Sequence, residues 1–311
     1  TYYRACSFAA LFRVQKRKWG SIMLGQQILS GLATGSLYAL TAIAVVVVFR
    51  NTRTINLAQG DFAMVGAFLG IIFLKEWGMN YFAMLALVVL CCMALGGFVE
   101  RVVMRPVAES DWLTLFTTTI GVYYILHGMA GWIWGRDTKA FPVSFEATPV
   151  EVFGALISKG HLYNMAIALL IGGVLWTFFT KTKQGIAMRA VTDDPETAYL
   201  MGIPVKFIVT LTWVMAGAIA GFIGVLMAPI IYVSPEMMDE ILIKGYVAAV
   251  FGGLYSFRGA VIGALMIGVA ENLAGGYLGS HYKTSVAFVM IVVLLAFRPQ
   301  GLVGIQERRE I

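Results

Sequence analysis

Few side chains in this sequence could do chemistry, and they fall in two places. The first lies inside apolar runs. Asn56, Gln59 and Asp61 stand in "INLAQGDFAMVGAF", and Glu271 and Asn272 stand in a later run. A carboxylate within a membrane span is unfavourable unless it is paired or wet, so such a group is a functional candidate by default. At about 1.5 Å per residue, Asp61 would sit about 12 Å past Arg53 if the chain were helical there. Gly60 beside it points to a broken helix, and irregular backbone at depth survives only against protein or a watery cavity. Glu271 and Asn272 fall toward the far half of their span. For both groups two readings stand: a part in a solute pathway, or an internal hydrogen bond.

The second place is polar. "KTKQGIAMRAVTDDPETAYLMGIPV" (181–205) interrupts two charge-free runs and carries Arg189, Asp193, Asp194, Glu196, Ala198 and Gly202. Asp193 or Asp194 can accept hydrogen bonds from the free amides of a helix start, and Pro195 suits the first helical position. Gly202 closes such a helix and Pro204 stops it. The expected structure is a loop, a short helix over Pro195–Met201 along the membrane, and a sharp turn. Helix connections usually run 2–8 residues, so this one is long for a mere linker.

The remaining chemistry-bearing residues exclude several functions. No nucleophile elbow, P-loop or dinucleotide fingerprint occurs, so no ATP site is visible in this chain. His127, His161 and His281 show no metal-ligand spacing, and Cys6, Cys91 and Cys92 form no disulfide pattern. The net charge of +6 fits basic loops at one membrane face and gives no reason to invoke nucleic acid. Lys244, near a span end, is expected to snorkel to the surface, and Tyr38, Tyr123 and Tyr124 to serve packing.

The elements that hold these residues follow from composition. The 311-residue chain is 59% hydrophobic and 13% charged, about half the charge of a soluble domain. Charge-free runs at 19–49, 77–99, 112–135, 160–180 and 207–235 each reach the roughly 20 residues a bilayer needs. Shorter runs at 62–74, 245–257, 259–270 and 284–297 need polar flanks to cross. The fold class is therefore an all-α polytopic membrane protein with eight or nine transmembrane helices. Basic loops place 181–205 and the C-terminal tail, 305–311, in the cytoplasm. Nine crossings would then put the basic residues of 1–22 outside. Either one segment is re-entrant, or 1–22 is an extension that is not native to the working protein; Met23 stands just before the first span. Small pairs four apart, Gly31/Gly35, Gly66/Gly70, Gly217/Gly221 and Gly259/Gly263, suit close helix packing, within the chain or in part at a subunit interface.

Several stretches together resemble one family. "INLAQGDFAMVGAF" is similar to the "NFAHGDxxMLGAY" element of branched-chain amino acid permeases, "ERVVMRPV" (100–107) to their "ERVAYRPL", and 184–205 to their "GRALRAxAEDxxAAxLLGIN". "VAAVFGGLYSFRGAVIGALMIGVAENL" and "FRPQGLVG" resemble their C-terminal elements. The resemblance runs over about 23–304 in family order and suggests the H-type permease subunit of a Liv-like ABC importer. It departs at Gln59, where the family commonly has His, and at Thr197, where Ala is usual. The resemblance implies that Glu196, Thr197, Ala198 and Gly202 form a cytoplasmic coupling helix docking on an ATPase, with Arg189, Asp193 and Asp194 beside it. It implies a bacterial inner-membrane permease domain over 23–304 with no cofactor of its own. Its expected partners are a second homologous permease subunit, two ABC ATPase subunits that use ATP, a periplasmic solute-binding protein and lipid. The expected cargo is a branched-chain or other hydrophobic amino acid, with urea, amides and aromatic acids known among related systems. The competing class is an ion- or proton-coupled secondary transporter, which would need coupled acidic and basic groups within its spans.

Overall fold

Each long apolar run folds as a helix, the form that satisfies every backbone group within its own segment where no water competes. The computed structural model describes residues 2–142, 149–152, 155–298 and 300–303. The first four helices are α1 (Tyr2–Thr52), α2 (Gln59–Lys75), α3 (Tyr81–Val99) and α4 (Trp112–Trp134). A short antiparallel hairpin follows, β1 (Pro149–Val152) with β2 (Ala155–Ser158), in a connection expected to be loop. Then come α5 (Lys159–Lys181), α6 (Lys183–Asp193), α7 (Pro195–Leu200), α8 (Val205–Ile231), α9 (Asp239–Gly252), α10 (Phe257–Tyr277) and α11 (Lys283–Phe297). Of the extension 1–22, only helical backbone from Tyr2 is described, continuous with α1. The tail 305–311 lies outside the described residues.

Among the described residues, 7 helices are long and apolar enough to cross a membrane, against the eight or nine expected. The difference lies in α2 and α9. With 17 and 14 residues, they reach only about 26 and 21 Å at 1.5 Å per residue. Each is led into the bundle by chain that is not α-helical: residues 53–58 before α2, and a 3-10 turn at Pro235–Met238 before α9.

α1 is the centre of the molecule. It is buried without a break from Gly35 to Val48, and α10 crosses it at close range. A methyl group on Gly31 would lie 2.6 Å from the Val269 Cα, and one on Gly268 2.5 Å from the Gly35 Cα. Gly217 and Gly221 face Cys92 of α3 in the same way, Gly66 and Gly70 meet Cys92 and Phe141, and Gly259 and Gly263 meet α9. All four glycine pairs therefore pack within the chain. Around this centre α4, α5 and α11 turn large apolar side chains outward, Trp132, Leu170 and Val292 among them, as helices facing lipid do.

Loops assigned to one face do gather at one end. Thr192 donates to Asn51 at 3.4 Å, Arg105 to Thr210 at 2.6 Å, and the Arg258 guanidinium lies 4.5 Å from the Trp176 ring centre. At this basic end Glu100, almost wholly buried, receives two hydrogen bonds from Arg105 at 3.1 Å each. That two-pronged pair accounts for the "ERVVMRP" stretch, because it fixes the turn from α3 toward α4. At the opposite end Lys139 bridges Val233, and Thr284 donates to Glu240.

Candidate translocation and coupling sites

Residues 53–58 decide where the intramembrane polar groups sit. The chain leaves α1 at Arg53 with φ 51° and runs without helix to Ala58. Asp61 lies deeper than the roughly 12 Å that a continuous helix would give. Its neighbours set the depth: His127 stands fifteen residues into α4 from Trp112, about 22 Å along that helix. The break is real but precedes Gly60, which is itself helical and packs on Met238 and Leu242.

Backbone exposed by such a break needs partners, and the neighbouring helices supply them. Thr119 donates to the Ile55 carbonyl at 3.0 Å, and the Tyr246 hydroxyl to the Asn56 carbonyl. The Asn56 side chain accepts from the Ala58 amide at 3.2 Å and donates to Gln59 at 3.3 Å. Gln59 in turn donates to the Ala216 carbonyl of α8 at 3.0 Å. Asn56 and Gln59 thus brace the break, and their side chains are occupied by the protein itself.

Asp61 is different. Its Oδ1 lies 3.5 Å from His127 Nδ1, while Oδ2 has no hydrogen-bond partner among the described residues. His127 Nε2 lies 3.9 Å from Glu236, and the Tyr123 hydroxyl lies 3.5 Å from Asp239. Exposure falls along the row, with side chains 56% exposed at Glu236, 22% at His127 and 3% at Asp61. Three carboxylates around one imidazole thus form a negatively biased track from the end opposite the arginines to a buried carboxylate. Such a track attracts a cation or an ammonium group. Sequence reading missed His127, Tyr123, Glu236 and Asp239, because their helices meet only in the fold.

A second polar group sits on the other side of α9. Lys244 bonds Glu271 at 3.0 Å and Glu240 at 2.7 Å, and the Tyr38 hydroxyl donates to Glu271 at 3.0 Å. Two expectations are corrected here. Lys244 does not snorkel: it is 8% exposed, held inward by Glu271. Tyr38 is a hydrogen-bond donor as well as a packing residue. Asn272 does not join this group, since its amide donates to the Gly268 carbonyl of its own helix at 2.9 Å.

At the basic end, 181–205 is more ordered than expected. The part read as loop is α6, whose start is capped by Thr182 accepting from the Gly185 amide at 3.0 Å. Asp194 caps α7 by accepting from the Glu196 and Thr197 amides at 2.9 and 3.1 Å. Hydrogen bonds from Thr197, together with that from the Glu196 amide, hold the Asp194 carboxyl below its ordinary range despite full exposure. Ala198 is the one buried residue of α7, and Gly202 ends the turn at φ 82°, a conformation that a Cβ disfavours. Arg189, Asp193 and Glu196 face solvent. Tyr199, Leu200 and Met201, 71%, 82% and 78% exposed, form an apolar tip projecting from the basic end.

Fold and sites together define a polytopic helical membrane permease: a broken helix around buried polar groups, with a capped helix projecting at one end. The family model "Branched-chain amino acid transport system / permease component" matches residues 27–296, and the chain belongs to that family. It is 31% identical over 292 residues to the high-affinity branched-chain amino acid transport system permease protein BraD of Pseudomonas aeruginosa, covering 90% of this chain and 95% of that protein. It is 30% identical over 293 residues to the corresponding LivH protein of Escherichia coli, with the same coverage. The fructose import permease protein FrcC of Rhizobium meliloti is 26% identical over 290 residues, 88% of this chain and 79% of that protein. The chain is accordingly a multi-pass protein of the inner membrane.

Proposed function

We propose that this chain is the transmembrane subunit of an ATP-driven importer of branched-chain or other hydrophobic amino acids. The observation that carries the reading is α7, a short helix held by its cap and closing glycine, with an exposed apolar tip at the basic end. Exposed apolar surface of this kind marks a contact with another protein. A chain whose sequence carries no nucleotide-binding motif would need such a contact to receive energy. The basic end is then cytoplasmic, and α7 meets an ABC ATPase. A second homologous permease subunit completes the membrane part, two ATPases bind ATP, and a periplasmic solute-binding protein delivers the cargo.

The track from Glu236 to Asp61 suits the ammonium group of an amino acid. Asp61 offers it an oxygen without a hydrogen-bond partner among the described residues. The test is a pull-down of the tagged permease from membranes. ATPase and a second permease chain in stoichiometric amounts support the reading. A permease that transports leucine yet brings down neither contradicts it.

The ion pair of Lys244 and Glu271 within the bundle gives one specific observation to the competing class, a secondary transporter coupled to protons or ions. Such a protein would work alone and would follow the proton or ion gradient instead of ATP.

A further inference from the structure

An apolar groove of about 640 Å³ lies between α1, α5 and α10, away from the Asp61 site and reaching α6 only at its mouth. Leu40, Ile43, Leu169 and Ile262 line its walls, and Leu169 and Ile262 are exposed. It runs from Ser36 to Arg50 along α1, about 21 Å at the helical rise, somewhat more than the roughly 15 Å of one leaflet's hydrocarbon. Its mouth at the basic end carries three arginines, Arg50, Arg189 and Arg258, together with the hydroxyls of Thr180 and Tyr255.

These arginines are placed but not neutralised. Arg50 lies 4.9 Å over the Phe257 ring and Arg258 4.5 Å over Trp176. Among the described residues no carboxylate comes within ion-pair distance of any of the three. Asp193 is near enough to attract Arg50 without pairing, and Arg50 Nε has no hydrogen-bond partner. Both sides of this charge pattern point one way: an apolar slot about one leaflet deep, closed at the basic end by guanidinium groups that have no carboxylate partner among the described residues. Arginine forks match phosphate oxygens, and basic pockets between membrane helices on the cytoplasmic side hold anionic headgroups.

We propose that this groove binds an anionic phospholipid, with its phosphate on Arg50 and Arg258 and an acyl chain along α1 and α5. Arg189 belongs to α6, which leads into α7, so the bound headgroup touches the segment that carries the coupling helix.

Trp176 lines the groove and reports on its content. The full-length permease is reconstituted in phosphatidylcholine containing either brominated phosphatidylglycerol or brominated phosphatidylcholine. Quenching specific to Trp176 is taken as the difference from Trp176→Phe. The expected result is about tenfold preferential quenching by the anionic lipid. The preference should fall in Arg258→Gln, whose side chain is exposed and whose loss leaves folding intact, and disappear in Arg50→Gln/Arg258→Gln. Gly172→Leu/Gly173→Leu should abolish quenching by filling the slot, since nothing lies within 4 Å of a Cβ at either position. Equal quenching by both lipids, or a preference that survives loss of both arginines, overturns the proposal. So does absence of quenching by either lipid, which would assign the groove to a second permease copy or another subunit.

Discussion

At the scale of single residues, two buried polar groups make separable claims. Asp61 has an oxygen without a hydrogen-bond partner among the described residues and partly exposed neighbours leading to it, so that oxygen is available to a passing solute. Asp61→Asn keeps the shape and removes the acid. Uptake is expected to fall at least about tenfold, the effect of losing roughly 1.4 kcal/mol at a step of passage. Assembly, read by co-purification, should stay unchanged; full uptake by the variant would remove Asp61 from the pathway. Lys244, in contrast, is committed to Glu271 and Glu240. Lys244→Met leaves a buried carboxylate without its cation and should destabilise the permease by about 3–5 kcal/mol, whereas Lys244→Met/Glu271→Leu should recover most of that. Thermal unfolding of the detergent-solubilised protein reads both; equal loss in the single and double variants would mean that the pair adds nothing. The sequence exposed Asp61 and Glu271 because a carboxylate in an apolar run is conspicuous. It hid Lys244, because a lysine six residues into a short helix looks the same whether it turns out to water or in to an acid. Only the position of Glu271 on α10 decides between them.

At the scale of elements, α7 was legible to within a residue, and α2 was not. Cap, proline and closing glycine are local signals, and local chain makes the structure they announce. The residues just before were misread as loop because α6 is held by its packing on α5 and α8 and by the Thr182 cap, and its polar sequence carries no long apolar stripe that would announce a helix. The depth of α2 was misjudged because the chain leaves the helix over residues 53–58 and turns at Leu57–Ala58 before α2 begins, and nothing in "NTRTINLA" states where α1 ends. For α7, Glu196→Lys changes an exposed side chain and should alter stability by no more than about 0.5 kcal/mol. Charge reversal at a docked surface can weaken binding by a few kcal/mol. Gly202→Asp puts a Cβ on a residue at φ 82° and costs about 1 kcal/mol locally. Both variants should reach the membrane in normal amounts and lose ATPase co-purification. If both keep full ATPase binding, α7 is only a linker.

At the scale of the whole molecule, the basic and acidic ends define an orientation and a direction of work. In a background without the three native cysteines, Glu236→Cys should react with an impermeant thiol reagent added to intact cells, and Lys181→Cys should react only after the membrane is opened. Labelling of Lys181→Cys in intact cells would invert the assignment. With that orientation the Asp61 track opens to the outside and α7 faces the cytoplasm. On the proposed function, energy from an ATPase would enter the bundle at the end of α5 and the start of α8, the helix whose Ala216 carbonyl holds Gln59 at the break. The most direct test of this account is uptake of labelled leucine by proteoliposomes containing the purified permease and whatever co-purifies with it. Binding protein is supplied outside, and ATP or a non-hydrolysable analogue is enclosed. Uptake is expected only with hydrolysable ATP and external binding protein, and it should persist when the proton gradient is collapsed. Uptake that needs no ATP and follows the proton gradient would contradict the account.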